Sequence, residues 1–377
     1  MIAANDFTRQ WADVGGDVIS AVERVGESGR YILGSEVQQF EEEFASYWGL
    51  RHAVGVASGM DAIEIGLRIL GCGPGDRVLT TPLSAFATTL AIVKLGAVPV
   101  FVDTDEQGLI DMSRCYDLLR LRQDIRFFVP VHLYGHALDA GGLAWLREQF
   151  DLNMVEDCAQ SVGAHWRESP TGSVGQIAAT SFYPTKNLGA MGDGGALLTN
   201  DVSLDAKARV MRCYGETERY QHVEIGYNSR LDELQAAVLR TASLPRLQQW
   251  VVRRQAIADA YDAGIRNRAV RLPGAPEGSR SSWHLYPVHV EPAMRGHFLA
   301  HLESAGIAAG VHYPRAIPDQ PALEPGTFEL IDNCETARRL CVSEVSLPIH
   351  PYLTNVEIAR VIQAVNAWTR TDVRTAA

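Results

Sequence analysis

The sequence predicts an α/β protein: a mostly parallel, mixed sheet between layers of helices, followed by a smaller α+β unit. Three observations lead there. Short continuous apolar runs alternate with helical patterns from Ala53 to Val155, as strands do when crossover helices bury both faces of a sheet. The rhythm changes at Thr180–Tyr183 and Gly195–Thr199, two strand-like runs around a glycine-rich turn, which makes the sheet mixed. A long helical stretch from Arg230 to Arg266 is then interrupted by Pro245, and shorter strands and helices follow. Pro245 marks the expected boundary, with a large domain over residues 1–245, including an N-terminal helical segment, and a small domain over residues 246–377. A chain of 377 residues suits two such units.

In order along the chain, Asp13–Glu27 reads as a helix. Ser35-Glu36-Val37-Gln38 has the spacing of a capping box and opens a second helix on Val37, Phe40 and Phe44, with Glu41-Glu42-Glu43 as its solvated face. Ala53–Ala57, Arg77–Thr80, Val98–Val102, Phe127–Val131 and Leu152–Val155 are the strands. Asp61–Leu70, Ala85–Leu95, Met112–Leu121 and Leu143–Phe150 are the helices between and beside them. Beyond Pro245, Trp283–Val290 and Ala308–Tyr313 read as strands around a helix at Arg295–Ser304. The last helix opens at Thr354, in a capping box with Glu357, and runs to Trp368.

Composition excludes several function classes. With 34 basic against 45 acidic residues the net charge is −11, the wrong sign for wrapping a nucleic acid. Six cysteines without a CxxC pair fit reduced thiols in the cytoplasm. No apolar run reaches the length of a membrane span, and the first residues lack the basic-then-apolar pattern of a secretory leader. The expectation is a cytoplasmic protein with neither a nucleic-acid nor a membrane partner. His297 and His301 are four apart on a helix, but the glutamate of HExxH is missing and an exposed face is expected. His132 and His136 flank Gly135 just after a strand, so no metal site is expected. Gly189 to Gly195 leads into a strand, whereas a dinucleotide fingerprint leads into a helix.

Only three lysines occur: Lys94, Lys186 and Lys207. None follows a glycine and precedes Ser or Thr, so there is no Walker A loop, and lysine-dependent covalent chemistry has three candidates. Lys94 ends an apolar helix and Lys207 lies among charged neighbours; both read as solvated side chains. Lys186 lies just past a strand, where open α/β sheets place ligands. Asp157 ends the apolar run Leu152–Val155. A buried carboxylate at such a position meets the need of a pyridinium cofactor, whose ring nitrogen it keeps protonated. Gln160, three residues on, is placed toward the ring hydroxyl. Ala57-Ser58-Gly59-Met60-Asp61 joins a strand to a helix, so Gly59 permits close backbone approach and the helix start offers N–H groups to a phosphate.

These elements together resemble a pyridoxal-phosphate enzyme of the aspartate aminotransferase type. More narrowly, the chain resembles the sugar aminotransferases of the DegT/DnrJ/EryC1/StrS family, from residues 28–34 to Leu347-Pro348. The most specific matches are Val155-Glu156-Asp157-Cys158-Ala159-Gln160, the tract Ser181–Gly189, and the tract Gly226–Ala237 with its Asn228-Ser229-Arg230-Leu231-Asp232-Glu233 core. The resemblance implies the pyridoxal-phosphate-dependent transferase fold type I. It implies Lys186 as the lysine that holds pyridoxal 5′-phosphate, Asp157 at the pyridine nitrogen and Gln160 near the ring oxygen. Gly59, Met60 and Ser181 are implied at the phosphate, and Asn228 at the phosphate of a neighbouring subunit, hence a homodimer with shared active sites. Tyr313 and Tyr183 are implied at the sugar substrate. Two departures from the family pattern stand out: Met60 replaces the commonest threonine, and Ala85 takes the place of the aromatic that usually stacks on the ring, with Phe86 beside it.

The implied reaction is amino transfer from an amino acid, glutamate by resemblance, to a nucleotide-linked keto-deoxysugar, with the wording around Asn228 closest to members that aminate C3. Arg219, Arg230 and Arg315 are candidates for the substrate diphosphate. Alternative readings are amination of a cyclitol ketone and a non-catalytic, cofactor-binding regulatory protein. A sugar dehydratase of the same family carries histidine in place of the cofactor lysine, against which Lys186 stands.

Overall fold

The apolar runs pair into one eight-stranded sheet in the computed structural model, which describes residues 1–369. The strands are β1 (His52–Val56), β2 (Arg77–Thr80), β3 (Val98–Phe101), β4 (Ile125–Val129), β5 (Asn153–Asp157), β6 (Ile177–Ser181) and β7 (Gly195–Thr199). The small unit contributes β8 (Tyr286–His289), β9 (Glu329–Leu330) and β10 (Glu344–Leu347). Sheet order is β1-β7-β6-β5-β4-β2-β3-β9; β7 runs antiparallel to both neighbours and all other pairs are parallel. The carboxyl ends of β1, β5 and β6 therefore open on one edge, and it is these ends that carry Ser58-Gly59, Asp157 and Ser181.

The helices are α1 (Phe7–Ser28), α2 (Ser35–Trp48), α3 (Gly59–Ile69), α4 (Phe86–Lys94), α5 (Met112–Leu121), α6 (Ala140–Gln149), α7 (Val202–Arg212), α8 (Glu233–Val238), α9 (Leu247–Gly264), α10 (Arg295–Ser304), α11 (Glu335–Ser343) and α12 (Asn355–Ala367). One face of the sheet packs Val78, Val129 and Val155 against Ile65 of α3 and Ile92 of α4. The other packs Val100, Phe128 and Met154 against Leu118 of α5 and Leu146 of α6. Thr354 and Glu357 form the expected capping box at the start of α12. The long helical stretch is four pieces, α8 and α9 with two irregular turns between them. A wide turn at Leu239–Ser243 and a tight one at Leu244–Arg246 surround Pro245, whose nitrogen cannot donate to a regular helix.

Several expectations are corrected. Ser35 is inside α2 rather than capping it: Gly34 is the N-cap, and the Glu233 carboxylate accepts from the N–H groups of Gly34, Glu36 and Val37 at 2.7, 3.0 and 2.9 Å. A charged acceptor is worth about 1.5–3 kcal/mol per bond, more than a neutral hydroxyl. Glu41 is buried, not solvated. It bonds Arg212 and Arg209 of α7 at 2.5 and 2.7 Å and the Gly55 N–H at 2.7 Å, tying α2 to α7 and β1. Lys94 is not merely snorkelling, since its ammonium pairs with buried Glu64 at 2.6 Å. Ala308–Tyr313 forms no strand, only a single bridge from Gly310 to Ser346. His297 and His301 bond Trp368 and the Ala364 carbonyl, so α10 turns them toward the end of α12 rather than to solvent.

Packing also crosses the boundary expected at Pro245 in both directions. Ile2 joins the small core of Tyr261, Tyr286, Phe298 and Val361, bridging to Ile307. Ile317, Leu323, Ala337 and Leu340 pack into the large core, and β9 extends the large sheet.

Candidate active site

The lysines separate cleanly. Lys94 is neutralised by Glu64 and Lys207 is exposed. Lys186 sits in the turn after β6, where its N–H donates to the Tyr183 carbonyl at 2.8 Å. Burial pushes its ammonium down to about 8, against the attraction of Asp157.

Asp157 ends β5 and is buried. Its Oδ1 accepts from the Ala159 N–H at 3.0 Å and its Oδ2 from the Thr88 hydroxyl at 2.8 Å, while Thr88 also meets the Ser84 hydroxyl at 2.9 Å. Burial raises the carboxyl, opposed by those two donors and by the charges of Lys186 and His132. No ion pair reaches Asp157 among the described residues.

The turn from β1 to α3 lies against the ends of β6 and β7. A Cβ on Gly59 would stand 2.6 Å from Ser181 Cβ, and one on Gly195 would stand 2.4 Å from the Ser58 carbonyl, so glycine is required at both. Ser58 caps α3 by accepting from Asp61 N–H at 3.1 Å. The N–H groups of Gly59 and Met60 have no acceptor within the helix, and Ser181 stands beside them. Ser229 clamps the turn, donating to Asp61 at 2.6 Å and accepting from Ala57 N–H at 3.0 Å.

Gln160 joins two tyrosines. Its Oε1 accepts from the Tyr134 N–H at 2.7 Å and its Nε2 donates to the Tyr313 hydroxyl at 3.0 Å. Phe86 opens α4 two residues before Thr88, partly buried against the core that contains Leu83 and Leu133.

Two of the sequence-predicted residues stand apart. Tyr183 is exposed. Asn228 is exposed as well, and its amide oxygen accepts from Arg230 at 2.5 Å. It lies at the base of an arm over residues 214–228 that presents Tyr214, Tyr220, Val223 and Ile225 to solvent. Of the candidate arginines, Arg219 covers Tyr220, Arg230 covers Tyr214, and Arg315 reaches the Asp319 carbonyl. Thr88, Ser84, Ser229 and Tyr134 were not singled out from sequence; two hydroxyls one helical turn apart, on either side of Ala85, were the available signal for the first two.

The donor set suits one kind of ligand. A buried carboxylate without a cationic partner calls for a protonated ring nitrogen, a helix start and a serine hydroxyl call for a phosphate, and a lysine near pH 8 offers a free amine. Pyridoxal 5′-phosphate has all three complements.

The chain is similar to known proteins over nearly its whole length. The model of the DegT/DnrJ/EryC1/StrS aminotransferase family matches residues 13–366. The dTDP-3-amino-3,4,6-trideoxy-alpha-D-glucose transaminase of Streptomyces venezuelae is 40% identical over 368 residues, 96% of this chain and 95% of its own. The crystal structure of S. venezuelae DesV in complex with a ketimine intermediate superposes with a TM-score of 0.91 at 39% identity, covering 97% of this chain and 98% of that one. NtdA of Bacillus subtilis with bound cofactor PMP superposes with a TM-score of 0.83 at 27% identity, covering 94% and 81%.

Proposed function

The chain belongs to the DegT/DnrJ/EryC1/StrS aminotransferase family, and from that premise we propose that it aminates C3 of a nucleotide-linked 3-keto-deoxysugar, with glutamate as donor. It is a pyridoxal-phosphate-dependent aminotransferase acting on a nucleotide-linked keto-sugar. The C3 assignment is supported by the name of the S. venezuelae relative. The observation that carries the site is a desolvated lysine, Lys186, within electrostatic reach of the buried carboxylate of Asp157 but not ion-paired with it.

When bound, the cofactor supplies the carbonyl that carries the amino group and the ring that spreads the charge left by a departing proton. Lys186 would hold it and, as a neutral amine, would take the proton from the donor's Cα and return it on the opposite half of the transfer. Asp157 keeps the proton on the pyridine nitrogen. The N–H groups of Gly59 and Met60 and the Ser181 hydroxyl bind the phosphate. Phe86 borders the ring, and Gln160, anchored by Tyr134, orients Tyr313 toward the sugar, with Tyr183 at the mouth. Glutamate and each of a panel of dTDP- and UDP-linked 3-keto and 4-keto sugars should give, by mass spectrometry, an amino-sugar only from the 3-keto compounds. Amination of a cyclitol ketone alone would replace this reading.

The active unit is a cytoplasmic homodimer. Its support is the exposed apolar arm, an unusual cluster for a lone subunit, and Asn228 at its base, poised for a partner's phosphate. Mixing Lys186→Ala protein with an impaired Asn228→Ala protein should restore activity through hybrid dimers, and a fully active monomer in sedimentation would rule the dimer out.

A further inference from the structure

The Asp157 carboxylate is held by more than its own turn. Its Oδ2 accepts from the Thr88 hydroxyl at 2.8 Å, Thr88 Oγ1 lies 2.9 Å from Ser84 Oγ, and all three residues are buried. The single hydroxyl proton of Thr88 is used on Asp157, so its oxygen accepts from Ser84, and both hydroxyls point their dipoles toward the carboxylate. Helix capping does not account for them. Ala85 caps α4 without a side-chain hydrogen bond, and among the described residues neither hydroxyl accepts from the free N–H groups of the first turn. Burial does not account for them either. Thr89, the next residue of α4, is equally buried, yet its Oγ1 meets no partner among the described residues.

We propose that Thr88, backed by Ser84, is a positioning residue that keeps Asp157 ionised and fixed, so that the proton between carboxylate and cofactor ring stays on the ring nitrogen. This rests on the reading above that Asp157 faces the pyridine nitrogen. Burial alone favours the neutral carboxyl and draws that proton toward oxygen. A donor aimed at the anion opposes the transfer, and it acts more strongly here than in water because the local dielectric is low. The donors are also divided between the two oxygens. The Ala159 N–H serves Oδ1 and Thr88 serves Oδ2, so the carboxylate cannot rotate without losing one of them. Each ionised oxygen can accept a further bond, which leaves room for a ring N–H. Ser84 adds to the effect by polarising the Thr88 hydroxyl, as chained hydrogen bonds do.

Reconstitution of the full chain with pyridoxal 5′-phosphate and with its 1-deaza analogue, in which carbon replaces the ring nitrogen, tests this without turnover. The parent should bind the natural cofactor more tightly than the analogue. Thr88→Val should cut that preference about tenfold, the low end for one hydrogen bond to a charged group, while binding the analogue no more weakly than the parent does. In the same variant the nitrogen-15 resonance of ring-labelled cofactor should move toward the unprotonated value. Thr88→Ser, which keeps the hydroxyl, should restore both readings. Ser84→Ala should give a smaller change in the same direction. Thr89→Val, the same substitution one residue on, should change neither. A parent-like preference in Thr88→Val, equal weakening of both ligands, no recovery in Thr88→Ser, or an equal change in Thr89→Val would overturn the proposal. Should Thr88→Val fail to fold, a parent-like preference in Ser84→Ala would overturn it instead. A parent that binds both ligands equally would overturn the placement of Asp157 at the ring nitrogen, and this proposal with it.

Discussion

Lys186→Ala is expected to lower turnover by at least roughly 10²–10⁴-fold, the range for removing a positioned proton-transfer group, and by more to the extent that covalent attachment is also lost. The other lysines cannot take over: Lys94 is paired with Glu64 and Lys207 faces solvent. A lysine at the ordinary value of 10.5 is almost wholly protonated near neutral pH. Burial brings Lys186 down to about 8, so a useful fraction is free amine there, and Asp157 limits the fall. Lys186→Arg should be as inactive as Lys186→Ala, because a guanidinium stays charged and cannot accept the proton. Borohydride treatment of the parent holoenzyme followed by peptide mapping should leave a pyridoxyl group on Lys186. A label on Lys94 or Lys207, or turnover of the alanine variant within tenfold of the parent, would remove Lys186 from the chemistry.

The sheet and the carboxylate at its edge were legible because they depend on local pattern. Continuous apolar runs such as Arg77–Thr80 and Gly195–Thr199 match β2 and β7 to the residue, since turns bound them on both sides. What the sequence left out depends on partners far along the chain. Nothing around Ser35 reveals that Glu233, about two hundred residues later, supplies the cap of α2. Glu41 was within reach, because it continues the helical spacing of Val37 and Phe44 and so falls on the buried stripe. A run of three glutamates masked that single inward position. Ala308–Tyr313 alternates like a strand, yet its residues are spent on the site: Gly310 bridges β10, His312 hangs between Tyr134 and Glu344, and Tyr313 reaches Gln160. Ser229 was invisible for the same reason, as its hydroxyl acquires meaning only when the fold brings Asp61 to it, and the spacing of Thr88 from Ser84 hints at a hydroxyl pair but not at Asp157 as its partner.

Asp157→Asn should retain the cofactor and the fold but slow the glutamate half-reaction roughly ten- to hundredfold. The local structure accepts the change. Asparagine Oδ1 can still take the Ala159 N–H, and its amide can donate to the Thr88 oxygen while Thr88 turns its own proton to Ser84, since either of those hydroxyls can donate. The charge, however, is gone. A neutral amide that donates cannot hold a proton on the pyridine nitrogen, and the loss of a charge-assisted bond of about 1.5–3 kcal/mol, felt where the Cα proton leaves, gives that factor in rate. Stability separates this from a structural defect. Burial raises the Asp157 carboxyl, so in the cofactor-free protein its contribution is present at low pH and lost as pH rises through the folded-state value. Removing the charge therefore leaves the cofactor-free Tm at neutral pH unchanged or higher. Single-turnover spectra with glutamate, alongside thermal melts of the cofactor-free proteins, read both effects. A variant that reacts as fast as the parent would reduce Asp157 to a strand-end residue, and a lowered Tm with an equally slow reaction would mean that the carboxylate holds up the fold rather than the chemistry.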